Sequence, residues 1–157
     1  MSSARSSDHA SGLGTVVRDV AEAEGSTSVH QVRTEEDLLT VRHAVRAATV
    51  RAGFSIVDQT RVVTAASELA RNAYIHGGGG TVTIDHLMAR GTAGLRLTIT
   101  DDGPGIADIG AALADGFTTG AGLGHGLGGA RRLMNDFDVR SAPGQGTTVI
   151  ATRWASR

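Results

Sequence analysis

The chain has 157 residues, 40% of them apolar, with a formal net charge of −1 and no cysteine. That length suits one compact domain, and no uninterrupted apolar run approaches the roughly 18 residues of a membrane span. Disulfides and thiolate metal sites are excluded, and the near-neutral charge gives no broad positive field for a nucleic-acid backbone. All 15 basic residues are arginine, so the lysine of a P-loop enzyme and the strand lysine of an ordinary protein kinase are both missing. Polar residues follow Met1 where a signal peptide needs an apolar segment, which leaves a cytoplasmic location as the expectation and neither membrane nor nucleic acid as a partner.

Residues 1–27 are rich in Ser, Ala, Gly and acidic residues and read as a mobile tail, with residues 28–157 as the folded domain. Val29–Arg33 reads as a short edge strand. Thr34 followed by Asp37 has the S/T-x-x-D/E form of a helix start, and Leu38, Val41, Val45 and Ala48 continue at helical spacing to a stop at Gly53. Ser55 and Asp58 repeat the signal. A second helix then runs to about His76, with Val62, Ala66, Leu69 and Ala73 on one stripe, and Gly77–Gly80 break it. Residues 81–87 and 95–100 alternate as a hairpin, residues 108–114 suggest a short helix, and residues 116–129 are glycine-rich. A helix through Arg131–Asn135 and a closing hairpin, 137–141 with 147–154, complete the chain. The expected fold is α+β: a two-layer α/β sandwich with a mixed, mainly antiparallel sheet.

Three groups of residues stand out chemically. Glu68, Asn72 and His76 share one face of the second helix. They read either as solvated polar residues or as a working set. In the second case Asn72 offers a carbonyl oxygen to Mg²⁺, and Glu68 accepts a proton from an attacking hydroxyl. Asp101, Gly103 and Gly105 sit where a strand ends. A tight turn explains the glycines, and so does close approach to a ligand whose exocyclic amino group binds the carboxylate, an arrangement that accepts adenine and rejects guanine. Seven glycines lie between Gly116 and Gly129, reading as a linker or as an anion-binding lid that enters a helix. The G-x-G-x-x-G spacing at 124–129 fails as a dinucleotide fingerprint, because it does not directly follow a strand and 28 residues cannot complete the fold. The six histidines show no zinc spacing.

In order, Glu68–Ala73 resembles the N box, Asp101–Ile106 the G1 box, Gly122–Leu127 the G2 box and Gly144–Thr148 the last motif of the GHKL (Bergerat-fold) ATPases and kinases. Four motifs in sequence cover about Thr34 to Trp154. Within that superfamily, residues 65–72, 115–120 and 122–134 resemble the small RsbT-like serine/threonine switch kinases of bacterial stressosome and partner-switching systems.

The resemblance implies ATP and Mg²⁺ as cofactors and phosphorylation of a serine or threonine on an RsbS-like STAS-domain antagonist, with an RsbR-like scaffold nearby. A downstream regulator such as a PP2C-type phosphatase would then be bound. By motif, Asn72 would bind Mg²⁺, Glu68 would be the base and Asp101 would contact adenine. Gly103, Gly105 and Ile106 would shape the base pocket. Gly122, Leu123, Gly124, His125, Gly126 and Leu127 would form the phosphate lid, and Thr147 would support Asp101 or its water. Many relatives carry a basic residue just past the N box, where this chain has only glycines, so phosphate charge falls to Mg²⁺, backbone N–H groups and Arg71 or Arg131. Two other readings fit the same motifs: an RsbW-type anti-sigma factor kinase that sequesters a sigma factor, and a nucleotide-gated binding module without catalysis.

Overall fold

The computed structural model describes residues 21–114 and 127–156. Their elements run β1 (Ala21–Val32), α1 (Glu35–Arg51), α2 (Ile56–Ile75), β2 (Gly80–Ala89), β3 (Thr92–Asp101), α3 (Ile109–Leu113), α4 (Leu127–Arg132), β4 (Asp136–Ser141) and β5 (Thr147–Trp154). No helix among them is long and apolar enough to cross a membrane.

The first helix starts where the sequence places it. Thr34 Oγ1 accepts the Asp37 N–H at 3.0 Å, and Asp37 Oδ2 accepts the Thr34 N–H at 3.1 Å, which closes a capping box. Ser55 caps α2 by accepting the Asp58 N–H at 3.1 Å. Between the helices Gly53 takes φ +79°, a left-handed conformation that favours glycine.

The sheet is ordered β1-β2-β3-β5-β4. All four pairings are antiparallel, so the expectation of a mainly antiparallel sheet holds and only its mixed part is corrected. The reason lies in the connections. Two helices, not one, separate β1 from β2, and the chain therefore re-enters the sheet from the end that makes β2 antiparallel. β3 and β4 do run the same way, but β5 lies between them. A second difference concerns the N-terminal boundary: β1 begins at Ala21, so residues 21–27 of the expected tail belong to the strand, with a register shift between Glu22 and Thr27. Thr27, Ser28 and Val29 are exposed on this edge strand, so no alternation marks it in the sequence.

One face of the sheet carries the helices. Val41, Val45 and Ala48 of α1 and Val62, Ala66, Leu69 and Ala73 of α2 form a single core with Val82, Ile84, Leu95, Leu97, Ile99, Val149 and Ala151 of the strands. Burying each leucine or isoleucine contributes about 1.5–3 kcal/mol. A charged cluster locks the N-terminal end of α2 to the end of β5. Asp58, 2% exposed, accepts from Arg61 at 2.9 Å, Arg153 at 3.0 Å and Ser156 at 2.6 Å. The Ser156 hydrogen bond, followed by the charge of Arg153, holds its carboxyl below the usual carboxylate range against the opposing effect of burial. Arg153 also donates to the Leu133 carbonyl at 3.0 Å, tying in the segment after α4.

Candidate functional site

The site is built on the last rung of the sheet. Antiparallel register aligns Gly80, Asp101, Thr147 and Ser141 across β2, β3, β5 and β4. One step inward, on the same face, the register aligns Val82, Ile99, Val149 and Val139. A polar rung thus stands above an apolar one, because side chains two residues apart on a strand share a face.

Over this double rung lies the C-terminal half of α2. Leu69, Asn72, Ala73, His76 and Gly77 form one wall of a cavity of about 240 Å³, and Ile99, Asp101, Thr147 and Val149 form its floor. Pro104, Gly105, Ile106 and Leu127 complete it. At roughly 30 Å³ per water, this is room for a ring system.

Close backbone approach explains the glycines. A Cβ at Gly77 would lie 2.6 Å from Asp101 Cβ and 2.7 Å from Asp101 Oδ1, so only glycine lets the aspartate reach the end of α2. A Cβ at Gly103 would meet the Gly77 Cα at 2.6 Å. Gly105 and Gly146 have φ of +81° and +74°, and Cβ atoms there would strike the Ala142 and Asp101 carbonyls. The Gly103 N–H donates to Asp101 Oδ1 at 2.8 Å, which orients the carboxylate. The 142–146 turn docks on the 103–106 loop through Gly144 N–H to the Pro104 carbonyl at 2.7 Å. Leu127 is 2% exposed at the start of α4, and the lack of a side chain at Gly128 lets α4 approach the Leu113 carbonyl.

The geometry therefore brings Asn72, Asp101, Gly105, Ile106, Leu127 and Thr147 together, with Gly103 packed directly behind Asp101. Glu68 is exposed on α2 one turn before Asn72 and does not belong to the cavity wall. Gly122, Leu123, Gly124, His125 and Gly126 lie outside the described residues, as does the 115–120 stretch. Sequence reasoning passed over Gly77 as a mere helix terminator, and it passed over Ser141. The alternation of Phe137, Val139 and Ser141 was the available signal, since it turns Ser141 toward the helices.

The family model described as "Histidine kinase-, DNA gyrase B-, and HSP90-like ATPase" matches residues 57–155, the segment that builds this cavity. The chain belongs to that family. It is 44% identical over 124 residues to the serine/threonine-protein kinase RsbT of Bacillus subtilis, a match covering 79% of this chain and 93% of the relative. It is also 36% identical over 112 residues to an anti-sigma F factor of Bacillus licheniformis, covering 64% of this chain and 72% of that one. Among solved structures, the histidine kinase domain of the Erythrobacter litoralis EL346 blue-light activated histidine kinase is similar at TM-score 0.45 and 19% identity, over 94% of this chain and 79% of that one.

The cavity has an apolar slab and a carboxylate at its polar end, with the Asn72 carboxamide on the α2 wall. Among the described residues no group of three His, Asp or Glu side chains is placed to hold a metal by itself. The donor set fits a metal that arrives with its substrate: Mg²⁺ needs only one or two protein oxygens and takes the rest from water and phosphate.

Proposed function

We propose that this protein is an RsbT-like serine/threonine protein kinase. It transfers the γ-phosphate of ATP to a serine or threonine of an RsbS-like STAS-domain antagonist, with an RsbR-like scaffold in the same assembly. It then binds a downstream regulator of the PP2C-phosphatase type in the cytoplasm. The observation that carries this reading is the meeting of Asn72, Asp101 and Thr147 in one cavity of a chain that aligns with 93% of a serine/threonine kinase.

In this reading the adenine enters the slab between Leu69, Ile99, Ile106 and Val149, and its amino group donates to Asp101. Gly103 and Gly105 keep the loop close to the base. Asn72 would hold Mg²⁺, which when bound neutralises phosphate oxygens. Gly122, Leu123, Gly124, His125, Gly126 and Leu127 serve as the cover that excludes water from the phosphates. Glu68 accepts the proton of the substrate hydroxyl as its oxygen bonds to the γ-phosphorus and the bond to the ADP oxygen breaks.

Incubating the purified chain with labelled ATP, Mg²⁺ and a STAS-domain protein tests this. Label should move to the partner with wild-type protein and fall by about 10²-fold or more with Glu68→Gln, while ATP affinity stays within a few-fold. Absence of transfer by wild-type protein refutes the kinase assignment. The likeness to anti-sigma F factors supports a second reading, in which the same kinase sequesters a sigma factor. Recovery of a sigma subunit in a pull-down would favour it.

A further inference from the structure

We propose that Ser141, which does not itself line the cavity, decides which hydrogen-bonding polarity the pocket shows to a purine. The inference rests on the reading of the cavity as an adenine-nucleotide site and adds a specificity-determining residue to it.

Three polar groups converge on the Ser141 hydroxyl. The Ile106 N–H donates to it at 2.8 Å. The Gly146 carbonyl lies at 2.7 Å and can only accept. The Thr147 hydroxyl lies at 2.9 Å, and either oxygen there has the chemistry to donate. A serine hydroxyl has one hydrogen and two lone pairs. Gly146 takes the hydrogen and Ile106 one lone pair, so the remaining lone pair receives the hydrogen of Thr147. Thr147, on the cavity floor, therefore has no hydrogen left for a ligand and presents lone pairs alone.

In the adjacent strand Asp101 is the register partner of Thr147 and presents a carboxylate. The polar end of the pocket is thus a row of acceptors. It suits a purine whose 6-substituent donates, directly or through a water, and opposes one whose 6-substituent is a carbonyl oxygen. Ser141 sustains this by consuming the one hydrogen that would otherwise turn toward the ligand. The same hydroxyl joins the 104–106 loop to the 142–147 turn, so the base-binding loop and the polarity of the pocket share one anchor.

The test titrates the full chain with ATP and with inosine triphosphate, each with Mg²⁺, by calorimetry. Wild-type protein should prefer ATP by at least ~100-fold. Ser141→Thr keeps the hydroxyl and should keep the preference. Ser141→Ala frees the Thr147 hydrogen and should narrow the ratio about tenfold, chiefly through tighter inosine triphosphate binding. Should the alanine variant not fold, Thr147→Val reads the same polarity, weakening ATP and sparing inosine triphosphate. Equal loss for both nucleotides in Ser141→Ala, or selective loss of inosine triphosphate in Thr147→Val, overturns the inference. Wild-type protein that binds neither nucleotide overturns the pocket assignment instead.

Discussion

Replacing Asp101 by asparagine separates hydrogen-bond polarity from shape. Asp101 Oδ1 accepts the Gly103 N–H at 2.8 Å, and a carboxamide oxygen can keep that bond. Keeping it fixes the new amide orientation, so an NH₂ group takes the position of Oδ2. A donor then faces the donor of a 6-aminopurine where an acceptor stood before. Losing the bond and leaving a mismatched polar pair costs about 1–3 kcal/mol, which is a Kd between about fivefold and 150-fold weaker. The side chain is only half-buried and isosteric, so the melting temperature should move by no more than a few degrees. Isothermal titration with Mg²⁺-ATP and a thermal melt on the same preparation measure both quantities. An ATP affinity within twofold of wild type, in a folded variant, would refute the assignment of Asp101 to the base.

Gly77→Ala should weaken ATP binding at least as much, because the new Cβ occupies the space of the Asp101 side chain; overpacking of this kind also costs about 1–3 kcal/mol of stability, readable by denaturant titration. Wild-type affinity in that variant would show that Asp101 shifts without consequence. Asp58→Asn leaves the part-buried Arg153 guanidinium, 14% exposed, without its countercharge and should destabilise the fold by up to about 3 kcal/mol at pH 7. Since the folded-state pKa of Asp58 is depressed, its stabilisation is present above the ordinary value of 3.8 and is lost as pH falls further; the wild-type advantage should shrink in that acid range and persist at neutral pH. His86, 3.0 Å from an Arg51 Nη2, is held below its ordinary 6.5 by burial first and by that guanidinium second. The neutral ring is favoured in the fold, so stability should decline as pH drops below 6.5, and a His86→Gln variant should lose that slope in melts between pH 7 and pH 5.

The first three helices were legible because their signals are local, whereas the fourth, expected through Arg131–Asn135, runs over Leu127–Arg132 and ends where that expectation began. The capping box at Thr34 and the Ser55 cap satisfy backbone groups within one turn, and the apolar stripes of α1 and α2 need only helical periodicity to be seen. Asn72, Asp101, Gly105 and Thr147 also stood out as motif residues, since each has neighbours of fixed type along the chain, and the fold brings them to one cavity. The two hairpins were legible as well, whereas the pairing of β1 with β2 and of β3 with β5, the early start of β1 and the close contacts of Gly77 and Ser141 were not. Gly77 matters because an aspartate 24 positions later folds against it, and Ser141 matters because register places it beside Thr147 and under Ile106. Chain chemistry alone thus determined the elements and the residue types a nucleotide site requires. Tertiary structure decided which strands became neighbours, and with them which backbone and side-chain groups meet at the end of the sheet, because those contacts join atoms distant in sequence and leave no periodic trace in it.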